Sequence, residues 1–376
     1  MTKRSKILFV VGARPNFMKI APILRAFAEG APQVECRLVH TGQHYDYAMN
    51  ESFFQQLDIP APDISLEVGS GTHAHQTAEI MQRFEPVLDE EQADCVLVVG
   101  DVNSTIACAL VAAKKGVRVV HVEAGLRSRD RTMPEEINRL LTDQLSDRLY
   151  VTEREAIDNL EKEGIDATSV VFAGNVMIDT LVHSLPKAVP VHETLAAAGA
   201  DHGRAIGAGD AYAVLTLHRP SNVDSAATLA PLLSVFKDLS ERLPIIFPMH
   251  PRTRGKINEL GLGWFLDLPG VVVLPPIGYL EMLGLLKSAK VVLTDSGGLQ
   301  EETTALGVPC LTLRENTERP ITITQGTNTL VGVDPSTLAR VFADIDAHCK
   351  PGRVPELWDG HAAARIARDL VEWMDS

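Results

Sequence analysis

Apolar residues in this chain come in short unbroken runs, and each run stops abruptly at a small or charged residue. KILFVVG (6–12), VECRLVHTG (34–42), DCVLVVGD (94–101), VRVVHVEAG (117–125) and RLYVT (148–152) read as strands that lack polar alternation. Strands apolar on both faces need helices on both sides of a parallel sheet. Periodic runs near Met18–Ala28 and through the alanine-rich stretch ending at Ala113 supply such helices. A softer stretch from about Leu181 to Asp210 contains AAAGADHGRAIGAGD and little periodicity, and reads as a linker or variable loop. The strand pattern then restarts with YAVLTLH (212–218), PIIFPMH (244–250), VVVLPP, KVVLTD and PCLTL, and HAAARIARDLVEWM closes the chain as an amphipathic helix. The expected fold class is α/β, with two Rossmann-like doubly wound domains, residues 1–182 and 183–360, a last helix over 361–376 and a ligand cleft between the domains.

The polar residues that end the strands carry the chemistry: Gly12-Ala13-Arg14-Pro15, Gly100-Asp101, Glu123-Ala124-Gly125, His218-Arg219, His250-Pro251-Arg252 and Asp295-Ser296-Gly297-Gly298. Ligands of open α/β sheets bind beyond these carboxyl ends. In DSGG, Ser296 is placed to cap a helix beginning near Gly298, and the N–H groups of Gly297 and Gly298 form an anion site. An ordinary tight turn explains DSGG alone equally well. One of Glu301 and Glu302, a helical turn later, can accept two sugar hydroxyls together. Arg319 in ENTERP offers a fork to phosphate or pins a carboxylate, although a lone loop arginine is more often structural. Arg14 and Lys19 bracket the first strand–helix turn, while Asp101, Glu123 and Glu135 follow later strand ends or open a helix. Carboxylates grouped together raise one another's pKa, so that one holds a proton while another accepts one. Helix capping accounts for Asp101 or Glu123 singly, but less well for both. His218 and His250 are candidates for phosphate binding or proton transfer.

Length and charge narrow the classes. A chain of 376 residues exceeds a single core. A net charge of −14, from 35 basic and 49 acidic residues, argues against broad nucleic-acid or anionic-membrane binding but leaves room for an anionic ligand in a local basic pocket. No apolar stretch has membrane-spanning length and the basic start lacks a cleavage pattern. The five scattered cysteines read as reduced core thiols, so a cytoplasmic protein is expected. GxGxxG after the first strand, GxxxxGK[ST], HExxH and GxSxG are all missing, so neither a cofactor nor a metal is expected.

Taken together, GARPNFMKIAPI, HTGQHYD, VVGDVNST, HVEAGLR, MPEEINRLLTD, AGNVMIDTL, TLHRPSN, TDSGGLQEE and TERP followed by QGTNTLVG resemble the non-hydrolysing UDP-N-acetylglucosamine 2-epimerases, in the family's order and over nearly the whole chain. The resemblance implies a glycosyltransferase type-B-like architecture whose helix 361–376 crosses back to the first domain, with a UDP-sugar as substrate and a homodimer as the assembly. It implies that Ser296, Gly297 and Gly298 cradle the diphosphate, Glu302 holds the ribose, and Arg14, His218 and Arg319 surround the phosphates. Lys19 matches a lysine needed for activity, and Asp101, Glu123 and Glu135 match an acidic trio implicated in acid–base chemistry, with His218 also a catalytic candidate. The implied reaction interconverts UDP-GlcNAc and UDP-ManNAc by eliminating UDP to 2-acetamidoglucal and adding it back. Gln43 and His44 match a region where bacterial members bind a second UDP-GlcNAc as activator. One departure is HRPSN, where Ser221 stands in place of the glutamate of HRREN or HRPEN. It leaves open a modified UDP-sugar such as a 2,3-diacetamido uronic acid. A hydrolysing epimerase, a glycosyltransferase and a non-catalytic UDP-sugar sensor are the other readings.

Overall fold

The computed structural model describes residues 5–42, 58–199, 206 and 209–376. The chain forms two compact units, Met1–His183 with Glu356–Ser376, and Ser184–Pro355. The strands of the first are β1 (Lys6–Val11), β2 (Glu35–His40), β3 (Ile64–Ser65), β4 (Cys95–Val99), β5 (Arg118–Ala124), β6 (Arg148–Val151) and β7 (Val170–Phe172). They lie in the order β3-β2-β1-β4-β5-β6-β7, all parallel. The second unit contributes β8 (Ala213–Thr216), β9 (Ile245–Pro248), β10 (Val271–Leu274), β11 (Val291–Thr294), β12 (Cys310–Thr312) and β13 (Asn328–Leu330). Their order is β10-β9-β8-β11-β12-β13, again parallel throughout. In each sheet the order reverses at the first strand, so the gap between β1 and β4, and that between β8 and β11, is a topological switch point.

Burial on both faces explains the unbroken apolar runs. In the second unit Ala213, Leu215, Ile245, Phe247 and Leu293 pack into one core, while their neighbours Val214, Ile246 and Val292 pack into another. The short strands β3, β7 and β13 carry too few residues for a run to show in sequence.

Of the stretch read as a linker or variable loop, the described part 181–199 carries the end of helix Val176–Ser184 and helix Val191–Ala197, and most of AAAGADHGRAIGAGD lies outside the described residues. Val191, Leu195 and Ala198 pack against a core of the second unit, and a backbone contact adds to them. Val189 N–H donates to the Leu280 carbonyl at 3.1 Å, and a Cβ on Gly284 would lie 1.8 Å from the Val189 oxygen. Only glycine permits that approach.

The final helix, Ala362–Asp375, belongs to the first unit and packs on helix Arg14–Gly30. Asp179 accepts from the N–H groups of Ala362 and Ala363 at its start, at 3.2 and 2.8 Å. Asp369, on its buried side, accepts from the Tyr150 hydroxyl at 2.7 Å and pairs with Arg148.

Candidate active site

In the first unit the switch point is built around Gly100. Asn16 ties the ends of β1 and β4 together: its Oδ1 accepts from Gly12 and Ala13 N–H at 3.2 and 3.0 Å, and its Nδ2 donates to the Val99 carbonyl at 3.0 Å. One helical turn further along, the buried Lys19 ammonium pairs with the buried Glu123 carboxylate. Gly100, at φ +66°, lies directly against this pair: a Cβ there would be 2.7 Å from Lys19 Nζ and 3.2 Å from Glu123 Oε2. Glu123 itself has φ +74°, and the β5–β6 register shifts between Val122 and Ala124. A non-glycine residue in the left-handed region costs about 1–2 kcal/mol. Such strain persists only where the surroundings hold it.

Asp101 is gripped by Arg139, whose Nε and Nη2 reach the same carboxylate oxygen at 3.0 and 2.6 Å. Arg139 also reaches Glu136 at 2.7 Å. Glu136 accepts from the N–H groups of Ser128 and Arg129 at 2.9 Å each. Burial pushes the Glu136 carboxyl up, yet these donors hold it below its usual range. Its neighbour Glu135 is half-buried in the first turn of helix Pro134–Leu145 and makes no hydrogen bond or ion pair among the described residues. Two of the three acids are thus paired with cations, and the third has no such pairing among the described residues.

In the second unit Asp295 fills the corresponding position, fully buried. It accepts from the backbone N–H of His218 at 3.0 Å, that of Arg219 at 2.9 Å and Asn222 Nδ2 at 3.2 Å, and His218 Nδ1 lies 2.8 Å from its other oxygen. Burial alone pushes Asp295 up, but His218 and the backbone donors hold it below the ordinary carboxylate range. His218 is left partly exposed with Nε2 available. The His250 ring lies 6.0 Å away, and burial and the His218 charge lower its pKa.

Ser296 takes the N-cap position of helix Gly297–Leu306, but its hydroxyl makes no capping bond, contrary to expectation. Its own N–H donates to Thr294 Oγ1 at 2.9 Å instead. The two glycines differ. A Cβ on Gly297 would lie 2.6 Å from Glu318 Oε1, whereas one on Gly298 would meet nothing within 4 Å. Gly297 therefore makes room for the protein's own carboxylate, and Gly298 leaves backbone open to a ligand. Glu318 is held at about 2, against burial, by Arg319 and Arg314. Arg319 pairs with buried Glu301 at 2.9 Å. Glu302 lies beside the Tyr279 hydroxyl, which burial and that carboxylate together push up.

Gln43, His44 and the Arg14 side chain lie outside the described residues. The partners Arg139 and Glu318 are not among the sequence candidates, and Asp295 is named there only as a strand-end residue, without a partner. The available signal was a charged residue at or beside a strand or helix end, here Asp295 directly after β11.

The model of the UDP-N-acetylglucosamine 2-epimerase family matches residues 27–371. The chain belongs to this family. It is accordingly an epimerase-family enzyme of nucleotide-sugar chemistry. A UDP-N-acetylglucosamine 2-epimerase of Methanococcus maripaludis is 42% identical, with 89% of each chain covered. A UDP-2,3-diacetamido-2,3-dideoxy-D-glucuronate 2-epimerase of Pseudomonas aeruginosa is also 42% identical, over 98% of this chain and 99% of the relative. The crystal structure of the Methanocaldococcus jannaschii UDP-GlcNAc 2-epimerase in complex with UDP-GlcNAc and UDP superposes with a TM-score of 0.87, at 39% identity, covering 98% of this chain and 99% of that one. Family membership and the two-domain parallel α/β architecture thus agree with the sequence reading. Among the described residues no helix is long and apolar enough to cross a membrane.

Proposed function

We propose that this enzyme interconverts UDP-GlcNAc and UDP-ManNAc by eliminating UDP and adding it back to the opposite face of the sugar. The observation that carries this reading is the buried Lys19–Glu123 pair beside Gly100-Asp101. The pair holds Glu123 in one position, which the proton acceptor of this reading requires.

The C2–H bond of the hexose lies next to no carbonyl, so simple deprotonation has no resonance to support it. Elimination supplies the driving force. The C2–H bond breaks toward a carboxylate, its electron pair forms C1=C2, and the C1–O bond breaks with its pair leaving on UDP. Protonation of the resulting 2-acetamidoglucal on the other face of C2, with return of UDP to C1, gives the epimer. The balance requires no oxidant or reductant. Asp101, Glu123 and Glu135 supply the proton acceptor and donor, with Lys19 and Arg139 fixing two of them. The diphosphate falls to Arg14, Arg319, the open backbone at Ser296–Gly298 and His218, whose Nε2 is turned outward by Asp295. These donors stabilise the charge that grows on UDP as it leaves. Glu302 takes the ribose hydroxyls. A homodimer and a second UDP-GlcNAc at Gln43 and His44 belong to the same proposal.

A second substrate is favoured by one specific observation. Ser221, exposed and donating to Asn222 Oδ1 at 3.3 Å, stands where the family pattern HRREN or HRPEN has a glutamate, so that negative charge is missing. Loss of that charge suits an anionic sugar such as the uronate named for the Pseudomonas aeruginosa relative. NMR of the protein with UDP-GlcNAc in D₂O tests the main reading: UDP-ManNAc carrying deuterium at C2 is expected. Free ManNAc and UDP would show a hydrolysing enzyme. Turnover of the UDP-2,3-diacetamido uronate alone would establish the second reading.

A further inference from the structure

Beneath the first unit's acids lies a set of buried polar groups to which the proposed chemistry gives no role. His121, on β5, and Asp143, on helix Pro134–Leu145, are both fully buried. His121 Nε2 is 2.8 Å from the Gly100 carbonyl, and Nδ1 is 2.6 Å from Asp143 Oδ1. The other Asp143 oxygen accepts from Gly125 N–H at 3.1 Å and from Arg127 Nη2 at 2.6 Å. Arg127 is held in turn by Glu163, at 2.9 and 2.6 Å. A single buried carboxylate thus reaches both acid-bearing turns: through His121 to Gly100, which precedes Asp101, and directly to Gly125, two residues beyond Glu123.

The direction of these bonds follows from the acceptors. A carbonyl only accepts, so Nε2 donates to Gly100. Asp143 already accepts from Gly125 N–H and Arg127 through its other oxygen, so it faces His121 as an acceptor and Nδ1 donates. Glu123 sits within this frame. Its left-handed backbone is flanked by the Gly100 N–H bond to Val122 at 3.1 Å and by the Asp143–Gly125 bond. Both tie the strained residue to groups that cannot reach water, which is how such a conformation is kept.

We propose that His121 and Asp143 are positioning residues, a buried clamp that sets the Gly100-Asp101 turn and the Glu123–Gly125 turn in one fixed geometry for proton transfer at the sugar. The inference rests on the epimerase reading above. Neither residue touches substrate; both act through the backbone that carries the acids.

Wild-type turnover is measured first, alongside ¹⁵N-edited NMR of the histidine side chains, with His121 assigned by its loss in His121→Gln. Hydrogen on both ring nitrogens of His121 is expected. An Nε2 without hydrogen cannot donate to Gly100 and overturns the clamp. His121→Gln and His121→Asn are then compared in kinetics, UDP binding and melting temperature. A glutamine amide reaches the Nε2 position and can still donate to Gly100; an asparagine amide is too short. The expected result is a kcat lowered about threefold in His121→Gln and about 30- to 100-fold in His121→Asn, with KM and UDP affinity within about twofold of wild type, since small misplacements of reacting groups act on the chemical step. Equal kcat in the two variants, or losses confined to KM or melting temperature, would show a merely structural role. Absence of wild-type turnover would refute the epimerase reading instead, leaving the NMR result to judge the clamp.

Discussion

β4 and β11 hold the same place in their two sheets, each beside the first strand of its unit where the strand order reverses. β4 leads into Gly100-Asp101 and β11 into Asp295-Ser296-Gly297-Gly298. At the first of these ends the space above the glycine is filled by the Lys19–Glu123 pair. At the second, Gly298 faces nothing within 4 Å. On the proposed reading, one position in the same topology serves two chemistries: opposed charges delivered from neighbouring elements for proton transfer, and a helix start left bare for an anion. The strand supplies the place; what approaches it supplies the function.

Substitutions can break that contrast, and the largest effect is expected at the filled end. Glu123→Gln should lower epimerase turnover about a thousandfold, the scale of a lost general base, while UDP affinity measured by calorimetry stays unchanged. A parallel loss of UDP binding would mean that the two ends do not divide the work. Next comes the ion pair behind the open end. Arg319→Ala leaves Glu301 buried without its cation. A cost of about 3–5 kcal/mol is expected for an uncompensated buried charge, visible in urea unfolding.

The pH dependence of stability sharpens the comparison, because acid titration of the scaffold must be separated from that of the site. Burial raises Asp179 from its ordinary value to about 6. Between its unfolded and folded values the folded chain keeps a proton that the unfolded chain has lost. Stability from this group is therefore full below about pH 4 and falls as pH rises through about 6, by up to about 3 kcal/mol. Asp179→Asn should remove the fall, as followed by melting temperature across that window; an unchanged slope would assign it to other groups.

The smallest effect distinguishes the glycines. Gly100→Ala, at φ +66° and against Lys19, should destabilise by about 2 kcal/mol. Gly298→Ala has open space and should leave the melting temperature unchanged while weakening UDP binding about tenfold, or about 1.4 kcal/mol. Undisturbed binding would remove Gly298 from the proposed diphosphate site.

Much of this was legible beforehand, and the exceptions share a cause. β4 reads as a strand because all of its residues are buried, whereas β3 is too short for any pattern. Glu135 and Glu136 are adjacent and chemically alike, yet helix phase sends Glu136 inward to Ser128, Arg129 and Arg139 and leaves Glu135 unengaged among the described residues. Carboxylates raising one another was a reasonable expectation from their clustering at strand ends. It could not foresee Arg139 on Asp101, 38 residues away, or Lys19 on Glu123, 104 residues away.

By itself the sequence determined the longer strands, most of the helices between them, the polar residues at the strand ends and the family. These depend on local periodicity and short motifs, which neighbouring residues encode together. Which charges meet was decided only by the tertiary structure. An ion pair depends on distance through space, and strand order, not separation along the chain, brought Lys19 to Glu123 and His218 to Asp295.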